Sequence, residues 1–469
     1  MGALFRAGEQ KIRPGVYKRY ENAGGSSVPG AVYGVFAIPV HATFGPLATV
    51  STFGADQVGD LKAMYGTGGT VDAALALFDG GATKVFVYRL GTGGTNASVS
   101  LKTEDGDDVV TLTTQYPTSD VYNVTIKPVL GDEMKKQLLV YLGTQLLETI
   151  DYLASENEQA EFVATVNAKS KYLTASKGTA TGALAVVANS ELTGGTEPTV
   201  NTESYSEALT AFEAFKWNML ALDTVDVAVH ALVQAYIDRI FNDGALGVCA
   251  LGEPTTVAFA DRCSHAKAFN DEKIIYFGSG YEDADGNKVD GYYAIAKQAG
   301  IVGSLESNVS ATHTVVPGAV NTLETLKNSQ YETAIESGMV LLSPNDEGQV
   351  WFDSAVNTLV TPNAEQDDGW KKIRRTSTRF ELFDRIDRAV APLIGKVNCN
   401  NIGIGDVITR ATDVLNAMVG EKKLKKGASI VEDTEYKRGS DYAFFVIAVE
   451  DLDSLEKIYL RYQFRFVAE

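Results

Sequence analysis

The sequence predicts a multidomain α/β protein with an inserted β-sandwich domain and a small C-terminal α+β domain. Its 469 residues are enough for about three domains. Apolar strand-like runs alternate with amphipathic helical patterns over residues 28–94 and again over 201–365, as in parallel sheets covered by helices. Between these stretches, residues 95–200 hold many short β-type segments separated by turn-forming residues, which is typical of a sandwich.

Residues 1–27 are expected to form an arm, because they lack an apolar stripe and end in a flexible run of Gly and Ser. Residues 28–94 then predict an α/β segment. Its predicted elements are a buried strand in the apolar run 30–39, helices over 54–65 and 71–78, and a strand over 84–89.

Residues 95–200 predict a domain built from short strands. The predicted strands cover 98–101, 109–113, 121–127, 138–142, 162–166 and 183–187. Because α/β sequence resumes after residue 200, we expect this domain to be an insertion.

Residues 201–365 predict an α/β domain with a mostly parallel sheet and helices on both faces. Ser204, followed by Glu207 three residues later, is the predicted cap of the first helix. The predicted elements are helices over 205–215, 227–241 and 291–299, and strands over 217–222, 245–251 and 274–278.

Residues 366–469 predict an α+β domain that ends in a strand arm. Helices are expected over 371–390 and 404–418, and a strand over 442–449. The chain then closes on a strict alternation, in which one face carries Ile458, Leu460, Tyr462, Phe464 and Phe466 and the other carries Lys457, Tyr459, Arg461, Gln463 and Arg465. This is the strongest period-two pattern in the sequence.

The composition excludes several classes of protein. A net charge of −19 argues against nucleic acid as a partner, because phosphate binding requires a basic surface. Three scattered cysteines cannot form a disulfide framework or a thiolate zinc site. We see no secretory signal and no run of 18 apolar residues. We therefore expect the protein to stay in the cytoplasm where it is made, or to leave it by a route other than secretion, and we expect no membrane contact by this chain.

Signatures of catalysis and cofactor binding are weak throughout the sequence. The glycine runs 66–69 and 91–94 do not continue into a dinucleotide or P-loop motif, and they are better explained as turns. Asp283, Asp285 and Asn287 resemble the start of a calcium loop, but Lys288 stands where that loop needs glycine. Cys263 and His265 form a pair without an orienting third group. We therefore predict no enzyme activity, no cofactor and no metal site.

Charge is unevenly distributed along the chain. Residues 1–20 carry an excess of four positive charges and residues 371–426 an excess of seven, whereas residues 21–370 carry an excess of 26 negative charges. Either these are solvated helix faces, or one side of the molecule meets an acidic partner.

The two ends of the chain each predict a strand without a neighbouring partner. Near the start, residues 15–20 have strand-forming side chains, among them Val16, Tyr17, Lys18 and Arg19. Such strands either pair within their own subunit or complete the sheet of another subunit by strand addition.

At these positions the sequence resembles the sheath proteins of contractile phage tails. The resemblance is carried by the runs RPGVY at 13–17, GAVYGV at 30–35, KVFVYR at 84–89 and EKIYL at 456–460, and by their order along nearly the whole chain. The sequence is most similar to sheath proteins of phages and phage-derived bacteriocins of Gram-positive bacteria. The resemblance implies a subtilisin-like α/β domain, in fold only, carrying the inserted β-sandwich, and N- and C-terminal strand arms.

The resemblance also implies a function. Subunits are expected to stack as hexameric rings around an inner tail tube, with the terminal arms adding strands to sheets of neighbouring subunits. Contraction then drives the tube through a target cell envelope. The implied partners are the subunit itself, the tail tube protein, and baseplate and tail terminator proteins. The implied location is a virion tail or phage-tail-like particle, made and assembled in the cytoplasm of the bacterial host.

Two basic clusters are candidate contacts with an acidic tube. The preferred one is Lys422, Lys423, Lys425 and Lys426, which follows a predicted helix whose C-terminal end favours cations. The other is Lys371, Lys372, Arg374 and Arg375, at the start of a helix. The run 22–27 is the predicted hinge of the N-terminal arm.

Two other functions stay open from the residues alone. One is another self-assembling protein, such as a surface-layer component, although that class would carry a secretory signal. The other is a hydrolase on the α/β domain, which would have to assemble its nucleophile and base from distant positions, with four histidines available.

Overall fold

The structure, a computed structural model, describes residues 33–465, and the first element in this range is a strand that is buried along its whole length. The elements up to residue 94 are strands β1 (Val35–Val40), β2 (Val50–Gly54) and β3 (Lys84–Arg89), and helices α1 (Val58–Tyr65) and α2 (Val71–Asp79). A 3-10 turn, Ala55–Gln57, precedes α1. The two predicted helices and the strand at 84–89 are confirmed.

The next part of the chain forms two antiparallel sheets and one helix. Its elements are β4 (Ser98–Lys102), β5 (Asp108–Thr114), β6 (Tyr122–Val129), β7 (Asp132–Leu142), β8 (Gln145–Leu153), α3 (Glu158–Lys169), β9 (Leu173–Lys177) and β10 (Val187–Glu191). The sheets have the orders β4-β5-β9 and β10-β6-β7-β8. Side chains from both sheets and from α3 share one apolar core.

Two predictions for this region are wrong. The segment predicted as a strand at 162–166 lies in helix α3, because Phe162 and Val166 are four residues apart and face the core together. The segment predicted at 183–187 becomes a strand only at Val187, where pairing with β6 begins.

From residue 202 to residue 352, helices alternate with short strands. The elements are α4 (Thr202–Phe212), β11 (Met219–Ala221), α5 (Val227–Asn242), β12 (Val248–Gly252), α6 (Phe259–Phe269), β13 (Ile274–Phe277), β14 (Tyr281–Asp283), β15 (Lys288–Val289), α7 (Gly291–Ser304), β16 (Ala319–Thr322), α8 (Asn328–Glu336), β17 (Met339–Val340), β18 (Leu342–Pro344) and β19 (Val350–Phe352). The predicted cap is wrong: Asn201 caps α4, because its Oδ1 accepts the Ser204 backbone N–H at 3.0 Å.

A seven-stranded sheet organises both α/β stretches. Its order is β17-β13-β12-β11-β1-β3-β2, and all neighbours pair in parallel except β2, which runs antiparallel to β3. Phe36 of β1 pairs with Val85 of β3 and with Met219 of β11. The chain therefore leaves this sheet after β3 and returns to it at β11, and residues 98–191 are inserted between the two.

Each face of this sheet contributes to its own apolar core. Phe36 and Ile38 of β1 pack with α1, α2 and α7, whereas Val35 and Ala37 pack with α4, α5 and α6. The predicted mostly parallel sheet with helices on both faces is confirmed.

Residues 381–450 form a compact unit of their own. The remaining elements are helices α9 (Ile373–Val390) and α10 (Asn401–Gly420) and strands β20 (Ser429–Glu432) and β21 (Phe445–Ala448), with 3-10 turns at Asp368–Lys371 and Ala391–Leu393. The apolar face predicted for 404–418 is confirmed, because Ala411, Val414, Leu415 and Met418 of α10 are fully buried. Within residues 33–465, no helix is long and apolar enough to cross a membrane.

Candidate assembly surfaces

The C-terminal segment 457–465 is extended and exposed. Four of its apolar side chains, Ile458, Leu460, Tyr462 and Phe464, are between 69% and 83% exposed. Within the range 33–465, residues 452–465 take part in no strand pairing. Covering exposed apolar groups of this kind with another surface lowers the free energy of the system.

Hydrogen bonds and ion pairs hold the residues just before this segment against the folded protein. Asp451 accepts hydrogen bonds from Arg375 Nε at 2.6 Å and Nη2 at 2.7 Å. Glu456 lies 3.0 Å from Lys372 Nζ and accepts a hydrogen bond from Ser310 Oγ at 2.9 Å. Burial acts to lower the pKa of Lys372, but its bonds to Asp453 and Glu456 outweigh burial and raise that pKa. The segment 451–456 is thus seated on the start of α9.

The same contacts involve the predicted basic cluster at the start of a helix, Lys371, Lys372, Arg374 and Arg375. Lys372 and Arg375 bind the acidic side chains of the same chain, and Arg374 lies 3.6 Å from Asp453 Oδ1. Lys371 of that cluster pairs with an exposed residue, Asp368, at 3.1 Å, and Arg375 also pairs with the exposed Asp367 at 3.1 Å.

The preferred basic cluster, after helix α10, is also divided between surface and interior. Lys422, Lys425 and Lys426 are exposed, and Lys425 forms an ion pair with Glu450. Lys423 is buried, with its Nζ 2.8 Å from Glu381 Oε1 and 2.8 Å from Glu421 Oε2. Hydrogen bonds from Arg385, followed by those from Lys423, lower the pKa of Glu421. Lys423 is therefore a core cation, and three of the four predicted lysines lie at the surface.

Strands β20 and β21 form a two-stranded antiparallel sheet in which Ile430 pairs with Ile447 and Val431 with Val446. Ile430 faces the apolar core of residues 381–450. Val431 and Val446 point outward and are 55% and 45% exposed. Neither strand pairs with a third strand in the part of the chain that the structure describes, so each strand has an outer edge with unpaired backbone groups.

Aromatic side chains extend the exposed face of this small sheet. Phe444 lies between Tyr436 and Tyr442, with ring centroids 5.5 and 5.7 Å apart. All three rings are at least 44% exposed. This apolar surface is suited to cover an added strand.

The carboxyl ends of the parallel strands, where α/β proteins commonly bind ligands, are occupied by the protein's own side chains. Asp223, just after β11, accepts hydrogen bonds from Thr70 Oγ1 at 2.6 Å, Tyr205 Oη at 2.9 Å and the His41 backbone N–H at 3.0 Å. Burial raises the pKa of Asp223, although these bonds act to lower it.

The weak motifs found in the sequence have structural explanations. His265 Nδ1 lies 2.8 Å from Glu253 Oε2, so a carboxylate does orient this imidazole, but Cys263 is buried two residues away on the same helix. Asp283 Oδ1 accepts backbone N–H bonds from Asp285 and Asn287, which closes the turn between β14 and β15. Among the described residues, no cluster of three or more His, Cys, Asp or Glu side chains could bind a metal ion.

Some predicted assembly residues cannot be placed. Val16, Tyr17, Lys18 and Arg19 of the N-terminal arm, and Phe466 of the C-terminal arm, lie outside residues 33–465. The contacts made by Asp451, Asp453 and Glu456 were not predicted from the sequence. The signal available for them was an acidic pattern directly before a segment whose only charges are positive.

Comparison with known proteins gives the family of the central part of the chain. Residues 199–358 match the phage tail sheath protein central domain. The uncharacterized protein YqbK of Bacillus subtilis (strain 168) is 22% identical over 98% of both chains.

Solved structures agree with this match. A sheath tail protein from Desulfitobacterium hafniense superposes with a TM-score of 0.71 at 20% identity, covering 93% of this chain and all of that one. The contracted helical sheath of the anti-feeding prophage gives a TM-score of 0.56 at 10% identity, covering 97% and 99%. The resemblance drawn from the sequence is thus confirmed: residues 199–358 match the central domain of phage tail sheath proteins, and the chain has the fold of contractile tail sheath proteins.

Proposed function

We propose that this protein is the structural subunit of a contractile tail sheath. Its copies polymerise as stacked hexameric rings around an inner tail tube, and contraction of the polymer drives the tube through a target cell envelope. The observation that carries the proposal is the exposed, unpaired segment 457–465, which alternates apolar and basic or polar residues. The sheath family is structural, and this points to a role other than catalysis.

In this proposal, segment 457–465 of one subunit adds a strand to the β20–β21 sheet of a neighbour. A third strand would satisfy the backbone groups at an outer edge of that sheet. Its apolar face would cover Val431, Val446 and the exposed aromatic rings beside them. Its other face carries Lys457, Arg461 and Arg465, which suits the acidic residues in the connection between β20 and β21.

Strand addition is tested by electron microscopy of the purified protein at high concentration. We expect wide hollow tubes or ringed polymers from the full chain, and their loss when residues 457–469 or 1–20 are removed. A substitution on the apolar face, Leu460→Asp, should also abolish polymers. Gln463→Asp adds the same charge to the other face and is the matched control. If Leu460→Asp assembles like the wild type, strand addition by this segment is wrong.

Subunits that stay monomeric in the full-length form require a second measurement, since a sheath can need its tube as a template. Adding the cognate tube protein should then produce sheathed tubes. Failure of both conditions would contradict the proposed function itself.

We also propose that Lys422, Lys425 and Lys426 contact an acidic tube surface. The pair Lys422→Glu and Lys426→Glu should weaken co-assembly with tube while sheath self-association persists. Lys396→Glu with Lys267→Glu makes the same charge change at two exposed positions elsewhere in the chain and is the control. Equal co-assembly of both double variants would contradict this contact.

The finer description of the chain is part of the same proposal. Residues 1–27 are an arm, 28–94 and 201–365 make up a subtilisin-like α/β domain, 95–200 are an inserted β-sandwich, and 366–469 are the C-terminal domain and arm. Two antiparallel sheets that share one core support the sandwich description. The further partners are baseplate and tail terminator proteins, and the particle is a phage tail or phage-tail-like particle assembled in the host cytoplasm.

A further inference from the structure

The chain between residues 451 and 456 is bound to the protein by ionic contacts, whereas the nine residues after it are exposed. We propose that Lys372, Arg374, Arg375, Ser310 and Thr312 form a binding site for the acidic segment 451–456, an ionic latch that fixes where the C-terminal arm begins. The latch regulates strand addition, and this part of the inference rests on the proposed function.

The strongest contact of the latch is between Arg375 and Asp451. The guanidinium donates two parallel bonds, at 2.6 and 2.7 Å, to the two oxygens of one carboxylate. Both side chains are largely shielded, at 18% and 12% exposure. Paired, partly buried contacts of this kind are stronger and less sensitive to salt than surface ion pairs. The hydrogen bonds to Asp451 raise the pKa of Arg375 further, so its charge is constant.

Asp453 supplies the second contact. It lies 2.8 Å from Lys372 Nζ and 3.6 Å from Arg374 Nη1. The Arg374 side chain is only 7% exposed, and a buried guanidinium is costly unless a carboxylate lies near it. An open latch would leave this cation without Asp453, which favours the closed form.

Glu456 ends the latch. Besides Lys372, its Oε1 accepts hydrogen bonds from Ser310 at 2.9 Å and Thr312 at 3.3 Å. Thr312 Oγ1 in turn accepts the Ala355 backbone N–H at 3.0 Å, so this end of the site is built into the folded domain. The next residue, Lys457, begins the exposed segment.

A fixed starting point matters for strand addition because it limits the volume that the arm can search. The effective concentration of a tethered strand falls as its flexible tether lengthens. Opening the latch would add six mobile residues to the tether. The arm would then no longer leave the domain in one fixed direction.

The latch is tested with full-length variants by cleavage with a glutamate-specific protease, following the bond after Glu456 by mass spectrometry. Arg375→Glu should raise the cleavage rate there at least fivefold. Lys371→Glu, a neighbouring charge reversal outside the latch, should leave the rate unchanged. The exchange Arg375→Glu with Asp451→Arg should restore it. Because Arg375 also contacts Asp367, Asp451→Asn serves as a milder second variant, with an intermediate rate expected.

Unchanged cleavage in both Arg375→Glu and Asp451→Asn would overturn the latch. The regulatory role is read separately, from the protein concentration at which polymers appear. That concentration should rise at least threefold in Arg375→Glu and return in the charge exchange. Faster cleavage with wild-type polymerisation would overturn the regulatory role, while absence of polymers from the wild type both with and without the tube protein would contradict the proposed function instead.

Discussion

Arg89 is a buried charge that joins three segments of the chain. Its guanidinium donates hydrogen bonds to the carbonyl oxygens of Ala42 at 2.8 Å, Gly45 at 2.7 Å and Pro117 at 2.9 Å. Burial lowers the pKa of Arg89 to about 10, so the side chain stays charged at neutral pH. Pro117 belongs to the inserted region and the other two residues follow β1, so one side chain orients the insertion on the sheet.

Arg89→Met should therefore destabilise the protein by about 3 kcal/mol, because three carbonyl groups lose a charged donor. The free energy of unfolding in urea measures this loss. Lys84→Met removes a charge from an exposed position of the same strand and should change stability by less than about 0.5 kcal/mol. A similar small change in Arg89→Met would contradict this role.

His230 gives the protein a dependence on pH. Burial lowers the pKa of His230 from 6.5 to about 4. Between these two values the unfolded chain binds a proton that the folded chain does not. The free energy of unfolding therefore has its full value above pH 6.5. It falls as the pH drops toward 4, by about 3 kcal/mol in total.

The variant His230→Leu should flatten this dependence, measured as the free energy of unfolding at several pH values from 7 to 4. His313→Asn is the control, since His313 is exposed and its φ of 62° is one that asparagine tolerates. An equally steep fall in His230→Leu would show that another group is responsible.

Single residues also mark the limit of what the sequence predicts. The four lysines at 422–426 look alike in sequence, yet Lys422 adopts a left-handed φ of 60° after helix α10, and the turn directs Lys423 inward. Its partner Glu381 lies about 40 residues earlier in the chain. A pairing between distant residues has no local pattern, and for the same reason the partners of Asp451 and Glu456 could not be predicted.

At the scale of elements, helix α10 depends on a cap as well as on its apolar face. Asn400 Oδ1 accepts the backbone N–H groups of Ile402 at 3.1 Å and Gly403 at 3.0 Å. Asn400→Ala should cost about 1 kcal/mol. Asn416→Ala, at an exposed position inside the helix, should be neutral or slightly stabilising. Thermal unfolding compares the two, and an equal effect would contradict capping by Asn400.

Elements with a strong period were predicted well and elements with mixed patterns were not. Their apolar spacing predicts helix α10 and strand β3 correctly. Helix α10 keeps one apolar face along its length, and strand β3 is buried at every position but its first. Strand β8 was missed because it lies at the edge of its sheet, and none of its first five residues is buried. Part of helix α3 was mistaken for a strand because only two of its apolar residues, Phe162 and Val166, are buried, which gives a weak helical period.

At the scale of the whole molecule, both chain connections to the inserted region leave the sheet at one place. Thr92 bridges to Thr199 and Thr95 to Thr196, so the two connections to the insertion run side by side. Replacing residues 97–194 by a short glycine-serine turn should leave the seven-stranded sheet folded. Phe44 packs into the core of the insertion, so it should become Ser in the same variant.

We expect this variant to keep its helical circular dichroism and a cooperative thermal transition at a lower temperature. A matched variant that instead removes residues 71–79 loses a helix of the sheet's core and should not fold. Loss of the cooperative transition in the first variant would show that the insertion is needed for the sheet to fold.

The order of strands in the sheet also determines when each strand can pair during synthesis of the chain. Strand β1 waits for its neighbour β11, which is synthesised about 180 residues later, an interval of roughly 10 to 40 seconds at ordinary elongation rates. The exposed segment 457–465 is synthesised after every strand of this sheet. A nascent chain can therefore complete its sheet before this apolar segment is made, which shortens the time for which the segment is exposed on an incompletely folded chain.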